Sequence, residues 1–84
     1  MRDPRSAPDR DPERLVRAYA DLVLRVCYTY LHSTADAEDV CQDTLVKLLL
    51  HEEPFRDPGH ERAWVVRVTI NACRNLLRHR GAHP

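Results

Sequence analysis

The amino-acid sequence predicts an all-α fold, a small three-helix domain, on three observations. The strong helix breakers are confined to prolines at 4, 8, 12, 54, 58 and 84 and glycines at 59 and 81, so 13–53 and 60–80 carry none. Within those tracts apolar residues recur at steps of three and four. No run alternates apolar with polar as a half-buried strand does, and no internal repeat competes. A chain of 84 residues suits a single core.

Asp11 and Pro12 supply an N-cap and a first-turn proline, so the first helix is placed from about 12 to about 32. Its apolar stripe is Leu15, Tyr19, Leu22, Val23, Val26, Cys27, Tyr30 and Leu31, with Arg14, Arg17, Asp21 and Arg25 on the other side. His32, Ser33 and Thr34 interrupt the pattern. Ser33 with Asp36 reads as a capping-box variant, and Asp36, Glu38 and Asp39 put negative charge where a helix dipole favours it. The second helix therefore starts there, packs Ala37, Val40, Cys41, Thr44, Leu45, Leu48 and Leu49, and ends near His51 ahead of Pro54. After a short, stiff loop, the third helix is placed from Gly59 or His60 to about Arg80. Ala63, Trp64, Val66, Val68, Ile70, Cys73, Leu76 and Leu77 are its apolar positions, and Gly81 is its C-prime stop. The domain spans 11–80. Residues 1–10, rich in Arg, Asp and Pro, are expected to form a disordered tail, and 81–84 a short C-terminal one.

Composition narrows the function classes. Charged residues make up 31% of the chain and no apolar run approaches a membrane span, so no membrane insertion and a cytoplasmic location are expected. Cys27, Cys41 and Cys73 are odd in number and form no C-x-x-C pair, which predicts reduced thiols and no metal. No glycine-rich phosphate loop and no H-E-x-x-H helix exist, and three short helices leave little room for a catalytic cleft. The expectation is a non-enzyme without cofactors.

Net charge is zero but segregated. Residues 32–53 hold Lys47 against Asp36, Glu38, Asp39, Asp43, Glu52 and Glu53, while 54–84 hold six Arg against Asp57 and Glu61. An acidic stretch attracts a cationic protein surface and a basic one attracts polyanions. On helix two, Val46 and Leu50 fall on the flank of Asp39, Gln42 and Asp43. That flank reads either as a solvated face with two incidental aliphatics or as a docking face for a basic partner helix. On helix three, Arg62, Arg67, Arg74, Arg78 and Arg80 are interleaved with Trp64, Asn71 and Asn75. This is either a solvated charge run or a nucleic-acid surface, since Arg and Asn hold phosphates and read base edges while an aromatic stacks on an unpaired base.

Two motifs carry a family resemblance. Asp36-Ala37-Glu38-Asp39-Val40-Cys41-Gln42-Asp43-Thr44-Leu45 resembles the D-A-E-D-h-h-Q-[DE]-x-h signature (h apolar) of region 2 in bacterial sigma factors of the extracytoplasmic-function group, within the sigma-70 family. Residues 62–78, from Arg62-Ala63-Trp64 through Asn71 to Arg78, resemble the [RK]-A-W-h-h-R-h-x-x-N segment of the same domain. With the L-h-x-x-Y-x-x-x-h-x-x-h start of helix one, the likeness covers about residues 14 to 80. Two departures stand out: many members have Phe where this chain has Glu61, although a subset reads H-E-[KR]-A-W, and Asn75 replaces a common Asp.

The resemblance implies a transcription-initiation module with a sigma region 2-like fold. Asp39, Gln42 and Asp43, with Val46 and Leu50, would dock on the beta-prime clamp of core RNA polymerase. The loop from Phe55 to His60 and helix three would recognise and help melt the promoter minus-ten element, capturing bases of the non-template strand. By position, the loop from Phe55 to His60, with Arg56, would shape the base pocket, Arg67 and Arg74 would hold phosphates, and Asn71 would contact a base or backbone. Arg62 and Arg78 are further DNA-binding candidates, and Trp64 reads either as a buried anchor or as a wedge at the DNA junction. An anti-sigma factor is a further candidate partner. The helix-turn-helix domain that reads the minus-thirty-five element in the family has no counterpart in these 84 residues. The alternative is a helical regulator that occupies the polymerase clamp without reading DNA.

Overall fold

In the computed structural model, which describes residues 9–81, the chain forms α1 (Pro12–Leu31), α2 (Thr34–Leu50) and α3 (Pro58–Gly81), each packed on the other two. Each start has a local cause. Asp11 Oδ1 accepts from the Glu13 N–H at 3.4 Å with Pro12 in the first helical position, and Ser33 Oγ accepts from the Asp36 N–H at 3.3 Å. Asp57 Oδ1 accepts from the His60 N–H at 2.8 Å, with Pro58 opening the helix. Thus α3 begins one or two residues earlier than the sequence suggests, on an Asp-Pro pair used as at Asp11-Pro12. It also runs through Gly81, which is not left-handed, so the expected glycine stop does not form. The left-handed residue is instead His32 (φ 53°), which closes α1 by donating its N–H to the Tyr28 carbonyl at 2.9 Å.

The core is built from Leu15, Tyr19, Val23, Cys27 and Leu31 of α1, Ala37, Val40, Cys41 and Leu48 of α2, Phe55 of the loop, and Val65 and Cys73 of α3. On α1 the predicted stripe is the packed one, with Leu22, Val26 and Tyr30 half-buried beside it. On α2 the stripe holds except at Leu49, which is exposed. On α3 the fully buried row is Glu61, Val65, Thr69 and Cys73. Of the predicted apolar positions Cys73 lies in the core and Trp64 and Leu76 pack against it, whereas the rest of the predicted stripe is out of phase with that row. Ala63 and Leu77 are exposed, and Val66, Val68 and Ile70 only half-buried. Arg14 departs as well: its guanidinium turns to Glu61 instead of facing solvent. The expected tails lie largely outside the described residues. Where the first one is described, Arg14 Nε donates to the Asp9 carbonyl at 2.8 Å. Among the described residues no helix is long and apolar enough to cross a membrane.

Candidate functional site

Turning Glu61, Val65, Thr69 and Cys73 inward leaves another face of α3 without a partner helix, since side chains three and four apart share a face. Gly59, Ala63, Val66 and Ile70 form the floor of a shallow groove of about 590 Å³, and Arg62, Arg67, Asn71 and Arg74 edge it. Small side chains at 59 and 63 make the depression and guanidinium groups make it electropositive. Four of the sequence-predicted DNA residues therefore lie together. The floor was missed because Ala63, Val66 and Ile70 were read as core.

The other predicted DNA residues do not join that groove. Phe55 is 3% exposed, with three rings packed around it: His51 stacked at 4.7 Å, His60 edge-on at 5.4 Å and Trp64 tilted at 5.6 Å. Phe55 therefore supports the loop from the core instead of lining an open pocket. His51 also contacts Trp64 at 4.6 Å, and Trp64 and His60 are half-buried. From the sequence, His51 is placed only at the end of the second helix; its available signal is its distance of four residues from Phe55 across Pro54. His60 Nδ1 accepts from the Arg56 N–H at 3.0 Å, which pins the loop while the Arg56 side chain is exposed. Arg78 is exposed off the groove, donating to Asn75 Oδ1 at 2.9 Å.

On α2, Asp39, Gln42 and Asp43 are all exposed, Val46 is 51% and Leu50 73% exposed, and together they make one mixed acidic and apolar face. It belongs to a different helix from the arginine-edged groove, so the two candidate faces are carried by separate elements. Between the first turn of α3 and α1 lies a group that the sequence did not reveal. Glu61, 1% exposed, takes the Tyr19 hydroxyl on Oε1 at 2.6 Å and Arg14 Nη2 on Oε2 at 2.9 Å. Burial, and then the hydrogen bond to Glu61, raise the Tyr19 phenol well above its ordinary range. Neither face contains a nucleophile activated by a base, and among the described residues no group of His, Cys, Asp and Glu is placed to hold a metal ion.

A sequence model described as Sigma-70 region 2 matches residues 15–83. The chain is 33% identical over 69 residues to the ECF RNA polymerase sigma factor SigE of Mycolicibacterium smegmatis, covering 82% of this chain and 26% of that protein. It is 30% identical over 70 residues to the RNA polymerase sigma-H factor of Pseudomonas aeruginosa, covering 83% and 36%. With the ECF RNA polymerase sigma factor SigG of Mycobacterium tuberculosis it shares 33% over 66 residues, covering 79% and 18%. The chain thus spans about a fifth to about a third of the length of these relatives. No solved structure gave a significant match.

Proposed function

The chain belongs to the Sigma-70 region 2 family, and on that premise we propose that it acts in transcription initiation, docking on the clamp of RNA polymerase through α2 and engaging the non-template strand of the minus-ten element through α3. The observation that carries the reading is the contrast in chemistry between two exposed faces on different helices. One is acidic with exposed Val46 and Leu50, suited to a basic apolar helix, and the other is a groove edged by Arg62, Arg67, Asn71 and Arg74.

In this reading Arg62, Arg67 and Arg74 hold phosphates and set the register of the strand, while Asn71 reads a base edge from the same face. Melting costs a few kcal/mol for each base unstacked, which aromatic stacking and pocket contacts must offset. The half-buried Trp64 and His60, backed by Phe55, are the rings placed to do so once the loop yields. The named relatives are RNA polymerase sigma factors, which supports the assignment of partner class. Work inside the cell at the polymerase also suits three free thiols.

The test is a paired binding measurement of the purified chain, against a polymerase clamp coiled-coil fragment and against single-stranded minus-ten and scrambled oligonucleotides. Binding to both the clamp and the minus-ten strand is expected. The burial of Phe55 favours the second reading, a regulator that occupies the clamp without reading DNA. Clamp binding with no preference for the minus-ten strand would select it.

A further inference from the structure

Glu61 is used by neither face. It sits in the first turn of α3, directly before Arg62 of the groove and three residues before Trp64 of the ring cluster. Both of its donors stand on α1. Arg14 is also bonded to the Asp9 carbonyl, so the segment entering α1 is drawn into the same knot. The rest of the inward row, Val65, Thr69 and Cys73, is uncharged, and apolar packing has no directional preference. Hydrogen bonds to a carboxylate do have one. A buried ion pair is also a weak source of stability, because desolvation offsets most of the Coulombic attraction, whereas in some proteins such a group fixes one placement of its elements over others.

We infer that Glu61 is a positioning residue, whose bonds to Tyr19 and Arg14 fix the rotation of α3 about its axis and hence the direction in which the Arg62–Arg67–Asn71 face and Trp64 meet a nucleic-acid strand. This rests on the reading of α3 as the strand-facing helix. If the first turn rotates so that Glu61 leaves the core, Arg62, Gly59 and Ala63 move with it and the groove mouth changes shape. Trp64, one turn on, shifts against His51 and Phe55.

The experiment compares the full chain with Glu61→Gln, which keeps an acceptor for the Tyr19 hydroxyl, and with the double variant Tyr19→Phe/Glu61→Leu, which replaces the knot by apolar packing. Arg14, 35% exposed at its side chain, is free to turn to solvent there. Three quantities are read: thermal midpoint with helical content, discrimination between minus-ten and scrambled single strands by fluorescence anisotropy, and the emission of Trp64, the chain's one tryptophan. The double variant is expected to keep its midpoint, since apolar replacement of buried ion pairs is commonly neutral or stabilising. It is expected to lose discrimination by about threefold to tenfold, the scale of one or two hydrogen bonds, and to shift the Trp64 emission. Glu61→Gln falls between it and the natural chain.

A folded double variant with unchanged discrimination and unchanged emission overturns the inference. If that variant does not fold, Glu61→Gln decides: full discrimination there overturns the inference, and partial loss supports it. If the natural chain itself does not discriminate, the reading of α3 as a strand-facing helix fails. In that event Trp64 emission still settles whether Glu61 holds the turn.

Discussion

Arg80 straddles the carboxylate of Asp36, Nη1 to Oδ2 at 2.5 Å and Nη2 to Oδ1 at 2.7 Å, and so ties the last turn of α3 to the first turn of α2. The hydrogen bonds from Arg80 hold the Asp36 carboxyl below its ordinary value of 3.8. A carboxyl depressed in the folded state contributes stability that is present above its unfolded value and lost as pH falls through the folded one. The thermal midpoint of the natural chain is therefore expected to drop from about pH 4 downward. Asp36→Asn is expected to flatten part of that drop and part of the salt dependence, because Arg80 remains 54% exposed and open to screening. An unchanged acid limb in Asp36→Asn would remove this pair from the account.

Two buried threonines differ in one respect. Thr69 Oγ1 donates to the Val65 carbonyl at 2.6 Å, whereas Thr44 Oγ1 is buried with no hydrogen-bond partner. Thr44→Val is expected to raise stability by about 1 kcal/mol by removing an unmatched hydroxyl from the core. Thr69→Val, which discards a bond already made, is expected to gain less. Denaturant midpoints of the two variants decide it, and equal shifts would contradict the difference in hydrogen bonding.

The three thiols are buried, and burial followed by the neighbouring Cys73 pushes the Cys27 thiol up to about 12, from 9.0. Burial raises Cys41 and Cys73 in the same direction. Groups raised in the folded state contribute stability below their unfolded pKa and lose it as pH rises towards the folded one, so alkaline destabilisation is expected to set in above 9.0. Alkylation at neutral pH is expected to label none of the three until the chain unfolds, and then all three. Rapid labelling of the folded protein would count against this burial.

Reversing Asp39 and Asp43 to Lys together is expected to abolish clamp binding while leaving the helical content unchanged. Both side chains are exposed and bear on no core residue, and like charges set directly against a basic partner cost several kcal/mol. Calorimetry against the clamp fragment reads the effect, and undiminished affinity would dismiss the α2 face.

On α3 the two kinds of contact are separable. Arg67→Ala and Arg74→Ala are expected to weaken all single strands alike and each to reduce the slope of log K against log salt by about 0.7. Asn71→Ala is expected to change which strand is preferred with little change in slope. Titrations at several salt concentrations distinguish these outcomes. A salt slope unmoved by either arginine would show that phosphates are held elsewhere.

The caps of α1 and α2 and the α1 stripe could be read in the sequence because each is a local pattern: Asp11 before Pro12, Ser33 before Asp36, and Leu15 to Leu31 at steps of four. The phase of α3 could not. That helix has apolar residues on two faces, and periodicity alone does not separate the packed row through Val65 from the open row through Val66 and Ile70. Pro58 was legible in principle, since it repeats the Asp-Pro start of α1. Glu61 was not: its partners Tyr19 and Arg14 stand 42 and 47 residues earlier, and no local pattern marks a carboxylate destined for burial. The four arginine and asparagine positions of the groove were legible as residue types, but their separation from Phe55 and Trp64 depended on that missed phase.

His32 and Ser33 are the whole connection between α1 and α2, and its reversal rests on a left-handed histidine. Closing so short a link costs little chain entropy, so the hairpin of these two helices can assemble early and independently of α3. An early hairpin would be the scaffold carrying the acidic face, and α3 would join it when Glu61 meets Tyr19 and Arg14. A nascent chain leaving the ribosome would complete the helix with the acidic face before the helix with the arginine-edged groove.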